Sequence, residues 1–400
     1  MESGQNHQKG ALPSHAKGNG ASANNGSSQS GNGSVRGGRG GRPAYAQSLQ
    51  CQKLSPEEKA AFSADWKQLQ QDDISSADYY FNSYAHFSIH EEMIKDSVRT
   101  CSYQRAIMDN QHLFRGKVVL DVGSGTGILS LFAARAGAKH VYGIECSEIV
   151  RIARKVAAAN GLEDRVTFVE GKAEEIELPV EKVDIIVSEW MGYFLLYESM
   201  LDTVIFCRDK WLAEDGLMFP DRAHLYLAAI EDADYKEEKV GYWDNVYGLD
   251  FSCVKTCIME EPIVDTVDEG AVATTSCCVL EIDLATCKPE DLDFCAAYSI
   301  QLRRKDFLHA FVAWFDVVFS KCHKPVILST SPHNRYTHWK QTVFYMEHVL
   351  VGEVGDTVKG LIAVKKNKKN PRDLDIKISY EFQNRHTLKP ISNTQFYRLR

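Results

Sequence analysis

Apolar and polar positions alternate in two different ways along the chain, and the pattern changes near residue 219. Before that point, short apolar runs are separated by stretches with helical periodicity. Strands are predicted at 117–121, 140–144, 166–170 and 183–187, with a helix at 147–159. Strands and helices in alternation are typical of an α/β fold with a doubly wound, Rossmann-like sheet.

The segment 51–116 precedes this sheet and has helical periodicity. Ser88 is followed three positions later by Glu91, a spacing that predicts a capping box at a helix N-terminus. The aromatic run 79–84 before it fits either a hydrophobic staple or a lid over a ligand. We therefore expect residues 51–218 to form N-terminal helices and a cofactor-binding α/β domain.

From residue 219 onward, period-two alternation dominates, as in 375–380. Strands are predicted at 223–230, 277–284, 295–303, 311–319, 342–349, 358–365, 374–382 and 394–399. Many strands without intervening helices indicate an antiparallel sandwich or barrel. An aromatic-rich insertion at 234–258 is predicted to form an interface. The basic run 365–369 is predicted to be a solvated hairpin loop.

The first 50 residues are rich in Gly, Ser and Asn and contain almost no large apolar side chains. Such a segment cannot bury enough surface to offset the entropy of ordering, so we expect 1–50 to be a disordered tail. The tail ends in an Arg-Gly-Gly (RGG) tract with Arg36, Arg39 and Arg42. This tract fits a solvated linker, an RNA-binding tail or a methyl-accepting tail.

Charge is unevenly distributed along the chain. The formal net charge is -8, of which the first 50 residues carry +4 and the remainder -12. An acidic body binds nucleic acid poorly and suits a basic partner, although acidity that serves only solubility is the alternative. We expect no direct nucleic-acid binding by the folded body.

The eleven cysteines contain no CxxC pair, so no structural zinc or other metal site is predicted. There is no secretory signal and no run of about 18 apolar residues for a membrane helix. Reduced thiols in the cytoplasm or nucleus are the simplest interpretation, and no membrane partner is expected.

The first predicted strand leads directly into a glycine turn formed by Gly123, Gly125 and Gly127. Glycines let the backbone approach a ligand closely, and the N-terminus of the following helix attracts anions. Glu145 ends the next strand, where a carboxylate in this fold binds ribose hydroxyls. The combination predicts an adenosine-type cofactor but does not by itself separate NAD from S-adenosylmethionine.

The run Asp121–Gly127 resembles the first motif of class I methyltransferases. This resemblance favours S-adenosylmethionine over NAD and implies that Asp121 and the first two glycines of the turn bind it. After the third predicted strand, Ala173-Glu174 resembles that family's adenine contact. The resemblance implies that the carboxylate accepts a hydrogen bond from the exocyclic amine.

An apolar and aromatic run at 188–198 has a carboxylate near each end, Glu189 and Glu198. Acids are rarely buried unless they are paired, so these two suggest a shared cationic partner. A protein arginine arrives protonated, and two carboxylates can hold its guanidinium by bidentate hydrogen bonds. The remaining nitrogen then keeps more lone-pair density for attack on a methyl group. Two unrelated surface glutamates are the alternative, which the apolar residues between them disfavour.

The run Ser188–Glu198 resembles the double-glutamate loop of protein arginine N-methyltransferases, and Thr337–Trp339 resembles their Thr-His-Trp loop. The resemblance extends from about residue 75 to the C-terminus. It implies a type I enzyme that transfers methyl groups from S-adenosylmethionine to protein arginine, giving ω-N-monomethylarginine and asymmetric dimethylarginine. It also implies a C-terminal β-barrel, residues 219–400, with a helical dimerisation arm at about 234–258.

The resemblance implies individual roles for residues. The implied catalytic residues are Glu189 and Glu198, which clamp the arginine, and His338, which pairs with Asp96. The implied cofactor contacts outside the motifs are Arg99 at the carboxylate, His90 on a helix folded over the cofactor, and Met200 near the sulfonium. The implied substrate pocket contains Tyr84, Met93, Tyr193 and Trp339, with Met93 typical of type I enzymes. The sequence leaves open whether the His338–Asp96 dyad or Glu198 takes the proton.

The resemblance also implies partners. We expect a head-to-tail homodimer whose active-site order depends on the arm, and protein substrates that include RGG-rich RNA-binding proteins and histone tails. Self-methylation in the RGG tract and a location in cytoplasm and nucleus are further expectations. An NAD-dependent oxidoreductase and a non-enzymatic scaffold are the competing functions. The oxidoreductase offers no role for the two glutamates, and the scaffold is expected to have lost one of them.

Overall fold

The computed structural model describes residues 54–64, 84–384 and 390–400. The predicted tail and most of the aromatic run lie outside these residues. The described α-helices are α1 (Pro56–Ala64), α2 (Phe87–Lys95), α3 (Ser97–Met108), α4 (Gln111–Phe114), α5 (Ile128–Arg135), α6 (Val150–Ala159), α7 (Met200–Trp211), α8 (Ala233–Val240) and α9 (Lys255–Met259). Short 3-10 turns occur at Gly241–Asp244, Ser252–Val254, Glu269–Ala271 and Pro289–Leu292.

Five parallel strands form the first sheet. They are β1 (Val118–Val122), β2 (His140–Glu145), β3 (Val166–Glu170), β4 (Val183–Ser188) and β5 (Leu212–Phe219), in the order β3-β2-β1-β4-β5. The central strands are almost fully apolar because parallel strands are covered on both faces. Chain order reverses beside β1, so a crevice at the carboxyl ends of β1 and β4 is the expected ligand site.

Ten strands follow in two antiparallel sheets that share a core with the first domain. They are β6 (Arg222–Ile230), β7 (Ile263–Asp265), β8 (Cys277–Asp283), β9 (Phe294–Gln301), β10 (Asp306–Phe319), β11 (Val326–Ser329), β12 (Gln341–Gly352), β13 (Thr357–Lys366), β14 (Leu374–Phe382) and β15 (Ile391–Leu399). One sheet has the order β7-β12-β10-β6-β8 with β11 on β10, and the other has the order β15-β14-β13-β9. The predicted α/β domain followed by an antiparallel β-barrel is confirmed.

The predicted capping box at Ser88 and Glu91 is wrong. With Ser88 as the N-cap the helix would begin at Ile89, but α2 begins two residues earlier, at Phe87. Ser88 therefore lies inside the first turn, where its hydroxyl cannot serve as the N-cap. The next helix, α3, is capped by Asp96, whose Oδ1 accepts a hydrogen bond from the backbone N–H of Arg99 at 3.0 Å.

The helix α1 has a capping box of its own and packs on the four-stranded sheet. The Ser55 N–H donates to Glu58 Oε2 at 2.8 Å, and the Glu58 N–H donates to Ser55 Oγ at 3.2 Å. On the sheet, Lys377 Nζ donates to the Phe62 carbonyl at 2.8 Å and lies 4.3 Å from the centre of the Phe62 ring. Lys377 is only 4% exposed, so these contacts stabilise a buried charge.

The predicted interface segment is a helical excursion from the barrel, formed by α8, α9 and two 3-10 turns. Several of its apolar side chains are exposed to solvent, with Tyr247 96% and Leu249 62% exposed. Exposed apolar side chains in such number indicate a surface that is covered in an assembly. Within the described ranges, no helix combines the length and the apolar character that a membrane crossing requires.

Candidate active site

A cavity of about 440 Å³ lies at the carboxyl ends of β1, β2 and β4, the crevice expected for this sheet. Gly123 follows β1 with a φ of +71°, and a Cβ at this position would come within 2.3 Å of Met200 Cε. Both the left-handed backbone and the close approach therefore require glycine. Met200 and Gly125 also line the cavity, as predicted.

Glu145 lies at the end of β2 and lines the cavity. Its Oε2 accepts a hydrogen bond from the Gly125 N–H at 2.8 Å, and its Oε1 accepts one from the Ser147 N–H at 2.8 Å. Each carboxylate oxygen retains acceptor capacity after one such bond. Glu145 therefore fixes the glycine turn and can still bind hydroxyl groups in the cavity.

The segment that leads into α2 covers the glycine turn. His90 Nε2 donates to the Tyr84 carbonyl at 2.8 Å, and Ser147 Oγ donates to the same carbonyl at 3.2 Å. A Cβ at Gly125 would lie 3.1 Å from His90 Nδ1, so the imidazole sits directly on the turn. Burial lowers the pKa of His90, which favours the neutral ring.

Of the residues predicted to contact the cofactor, Asp121 is the one that is not among the residues lining the cavity. Its side chain is buried, and Oδ2 accepts a hydrogen bond from Ser130 Oγ of α5 at 2.6 Å, whereas Oδ1 has no hydrogen-bond partner among the described residues. Burial raises the pKa of Asp121 to about 7. Asp121 thus holds α5 against the sheet, whereas Ala173 and Glu174 do line the cavity.

The loop after β4 folds back on itself, and this brings its two acids to one cavity. Gly192 N–H donates to the Leu195 carbonyl at 3.1 Å, while Phe194 and Leu195 have φ values of 52° and 67°. Non-glycine residues adopt this left-handed conformation rarely, and only where surrounding contacts hold it. Glu189 and Glu198 both line the cavity as a result, as the double-glutamate prediction required.

Glu189 is paired with Arg99. Arg99 Nε donates to Glu189 Oε2 at 2.9 Å, and each side chain is 7% exposed. Arg99 was predicted to bind the carboxylate of the cofactor, and it does line the cavity. Because its Nε is engaged by Glu189, Arg99 also fixes the first of the two acids.

Glu198 has no comparable ion pair to its carboxylate among the described contacts. Tyr84 donates its hydroxyl hydrogen to Glu198 Oε2 at 3.0 Å. Burial raises the pKa of Glu198 to about 7, Tyr84 and Arg372 oppose the rise, and nearby Glu189 adds to it. A buried carboxylate with a raised pKa is stabilised in its charged form by a cation placed beside it.

The predicted pair of His338 and Asp96 is formed. Asp96 Oδ2 accepts hydrogen bonds from the backbone N–H and the ring Nδ1 of His338, at 2.9 and 2.8 Å. Although burial alone would raise the pKa of Asp96, these bonds and the bond from the Arg99 N–H lower it overall. Asp96 is therefore ionised at neutral pH, and it orients the imidazole at the cavity wall.

Met93, Tyr193 and Trp339, the residues that with Tyr84 are predicted to form the substrate pocket, line the cavity. Trp339 is also a buried structural contact, because its Nε1 donates to the Met191 carbonyl at 2.7 Å. This bond ties the Thr-His-Trp loop to the double-glutamate loop.

Among the residues that line the cavity but were not selected by the sequence analysis are Ser124 and Arg372. Ser124 lies between the predicted glycines, and its buried Oγ lacks a hydrogen-bond partner within the described part of the chain. Arg372 comes from the tip between β13 and β14 and donates to the Glu198 carbonyl at 2.6 Å. The prediction of a solvated hairpin loop at 365–369 is wrong in part, because Lys365 and Lys366 belong to β13 and Asn367 is buried, whereas 368–369 are exposed.

The cavity residues fit an adenosine-type cofactor with a cationic centre. Ser124 offers a buried hydroxyl without a described partner, and Glu145 offers two acceptor oxygens. Met200 and His90 can pack directly on the glycine turn because Gly123 and Gly125 have no Cβ. Polar groups fixed by the backbone around an apolar cavity are typical of a pre-formed cofactor site.

Comparison with known proteins gives a consistent result. Residues 221–385 match the family described as the arginine methyltransferase oligomerization subdomain, and residues 119–216 match a methyltransferase domain. The chain is 60% identical over 327 residues to protein arginine N-methyltransferase 1 of Schizosaccharomyces pombe, covering 82% of this chain and 96% of that protein. It is 55% identical over 330 residues to the Chlamydomonas reinhardtii protein of the same name, covering 82% and 95%.

Solved structures show the same similarity. A chain of the Trypanosoma brucei PRMT1 enzyme-prozyme heterotetrameric complex with AdoHcy has a TM-score of 0.77 and 44% identity, covering 80% of this chain and all of that chain. Protein arginine methyltransferase 10 of Arabidopsis thaliana has a TM-score of 0.72 and 32% identity, covering 80% and 99%. The similarity thus extends through both folded domains.

Proposed function

The chain belongs to the protein arginine N-methyltransferase family, and from this membership we propose how its cavity residues carry out the reaction. It is a type I enzyme that uses S-adenosylmethionine to methylate guanidino nitrogens of protein arginine, giving ω-N-monomethylarginine and asymmetric dimethylarginine. The observation that carries the proposal is that two partly buried acids of one loop line the cavity that also contains the glycine turn.

When bound, S-adenosylmethionine supplies an electrophilic methyl group. Glu145 and Ser124 would hold its adenosine part, and Arg99 would hold its carboxylate. Glu189 and Glu198 accept hydrogen bonds from the substrate guanidinium, so that positive charge is held at two nitrogens and the third can attack. The fixed orientation of the two acids lowers the entropic part of the barrier.

The proton released on methylation has two candidate acceptors in the cavity wall. Burial places the pKa of Glu198 at about 7, near the value that suits a general base. The carboxylate of Asp96 is engaged by three N–H donors, so His338 would act through its ring. We favour Glu198 as the acceptor and His338 as an electrostatic neighbour of the guanidinium.

Methyl transfer to an RGG peptide tests this proposal. We expect Glu198→Gln to lower kcat about 100-fold or more, since a neutral amide cannot stabilise the guanidinium in the transition state. The thermal shift produced by S-adenosylhomocysteine should persist, because Glu198 is not proposed to contact the cofactor.

Glu214→Gln is the matched control, because Glu214 is an exposed acid on β5. Full activity of Glu198→Gln would contradict the proposal. Mass spectrometry of the product should show two methyl groups on one nitrogen, and symmetric dimethylarginine would contradict the type I assignment.

The proposal also covers the oligomeric state, the protein substrates and the location of the enzyme in the cell. The oligomerization subdomain and the exposed aromatic arm support a homodimer. The acid pair and the net negative charge support basic substrates such as RGG-rich proteins and histone tails. We further propose that the enzyme acts in cytoplasm and nucleus, which fits its described cysteines, because none of them forms a disulfide.

A further inference from the structure

The backbone at the second acid has an unfavourable conformation. Glu198 and Ser199 have φ values of 75° and 56°, and both carry side chains. Residues with a Cβ occupy this region only where surrounding contacts hold them there. The position of the Glu198 carboxylate therefore depends on whatever fixes residues 198 and 199.

The tip of the β13–β14 hairpin, residues 367–373, supplies these contacts. The Glu198 N–H donates to the Arg372 carbonyl at 2.8 Å, and Arg372 Nη1 donates to the Glu198 carbonyl at 2.6 Å. Ser199 Oγ donates to the Pro371 carbonyl. Both backbone polar groups of Glu198 are thus satisfied by one residue of the barrel domain.

The tip is itself rigidly built. Asn367 is buried; its backbone N–H donates to the Asp373 carbonyl at 2.9 Å, and its side-chain Nδ2 donates to Asp375 at 3.0 Å. Beside it, Lys366 Nζ donates to Asp202 Oδ1 of α7 at 2.6 Å. These bonds fix the hairpin tip where it contacts the double-glutamate loop.

We propose that Arg372 is a positioning residue for catalysis, which holds Glu198 so that its carboxylate meets the substrate guanidinium. This inference rests on the proposed role of Glu198. The two acids are then positioned by different domains, Glu189 by Arg99 of α3 and Glu198 by the barrel hairpin. The barrel domain sets the geometry of the acid pair as well as contributing to the substrate pocket.

The guanidinium of Arg372 also acts on the charge of Glu198. The groups that face this carboxylate are the Tyr84 hydroxyl, the Glu189 carboxylate, Arg372, and the phenols of Tyr193 and Tyr197. Of these, Arg372 is the cation, and it lowers the pKa of Glu198. Removing its charge should raise that pKa further.

Arg372→Gln and Arg372→Lys test the inference, with Lys368→Gln on the exposed side of the same hairpin as the control. The backbone bond from Glu198 N–H to residue 372 can persist in each variant, so the local fold should be retained. We expect Arg372→Gln to lower kcat about 10- to 100-fold, with KM for S-adenosylmethionine within about twofold of wild type. The acid limb of its pH–rate profile should move to higher pH.

Arg372→Lys keeps the charge, so its acid limb should stay near the wild-type position, and kcat should recover in part. An unchanged acid limb in Arg372→Gln, or a lower thermal midpoint that accounts for the whole loss, would overturn the inference. If Glu198→Gln is itself fully active, the proposed function fails. If Glu198→Gln is inactive while Arg372→Gln behaves as wild type, only the present inference fails.

Discussion

At the scale of single residues, the main feature is that Glu189 and Glu198 are largely removed from water although the reaction needs both carboxylates in the charged form. Desolvation alone favours the protonated acid, and an N–H or O–H donor or a nearby cation offsets it. Glu189 has Arg99, whereas Glu198 has the Tyr84 hydroxyl. Burial raises the pKa of Glu198 to about 7, so this carboxyl group titrates near neutral pH.

Tyr84→Phe tests whether the titration of Glu198 sets the acid limb of the pH–rate profile. The substitution removes a donor that lowers the pKa of Glu198, so the pKa rises. Because the ionised form binds the substrate, the acid limb of kcat/KM should move to higher pH by about one unit. A pH–rate profile of wild type and variant measures this shift of the acid limb.

Tyr197→Phe is the control. It also removes a phenolic hydroxyl from the double-glutamate loop, but this hydroxyl makes no described hydrogen bond to Glu198. An acid limb that stays in place for Tyr84→Phe would show that Glu198 does not set it.

Sequence reasoning at this scale succeeded where chemistry restricts the residue type. Two acids in an apolar run, and a glycine turn directly after a strand, are each compatible with few kinds of site. The cofactor contact of Asp121 stays a prediction, and its bond to Ser130 was not predicted, because a motif gives residue identity but not the partners of a side chain. Arg372 was missed because it reaches the cavity from a hairpin far away in sequence.

At the scale of elements, α1 shows how a short helix can be stable away from the main core. Nine residues are too few for an isolated helix, so its capping box and its contact with Lys377 must stabilise it. The contact joins this N-terminal helix to the barrel sheet.

Phe62→Ala should lower the free energy of unfolding by about 1–2 kcal/mol, because the ring packs on the buried Lys377 ammonium. Urea denaturation followed by circular dichroism measures it. Phe307→Ala is the control of equal size, because its ring is half exposed. Equal effects of the two substitutions would contradict the proposed packing.

Most strands of the barrel could be predicted because alternation reflects one buried face per strand. The strands β7 and β11 contain three and four residues, too few to show a period. The strand β5 carries Glu214, Asp215 and Gly216 in its middle, so its pattern resembles a turn. The cap of α2 was placed wrongly because tertiary contacts, and not the local cap, decide where a short helix begins.

At the scale of the whole molecule, the active site is assembled from every part of the folded chain. The N-terminal segment before the sheet supplies Tyr84 and Asp96, the α/β domain supplies the two acids, and the barrel supplies His338 and Arg372. Sequence periodicity predicted the two domains separately. It could not predict their interface, because contacts between domains leave no period in either one.

The exposed arm leads to a prediction about assembly. Replacing both Tyr247 and Leu249 with serine should convert the proposed dimer to monomer, because both side chains are exposed apolar groups on the arm. Sedimentation velocity measures the oligomeric state, and the methyl-transfer assay should show reduced turnover.

Val354→Ser replaces an apolar residue that is 64% exposed outside the arm and serves as the control. A double variant that stays dimeric, or wild-type protein that is monomeric and fully active, would contradict this assembly.

The double use of Asp96 has a consequence for how the apo enzyme can move. One oxygen of Asp96 caps the N-terminus of α3, and the other accepts hydrogen bonds from the backbone N–H and the ring Nδ1 of His338 in the barrel. If the Thr-His-Trp loop moved away, the two N–H donors of His338 and the desolvated Asp96 carboxylate would lose their hydrogen-bond partners. Each unpaired group would cost about 1–3 kcal/mol of free energy. We therefore expect the cavity to open for substrate entry and product release while the hydrogen bonds of Asp96 stay intact. The start of α3 and the Thr-His-Trp loop should move together rather than separate.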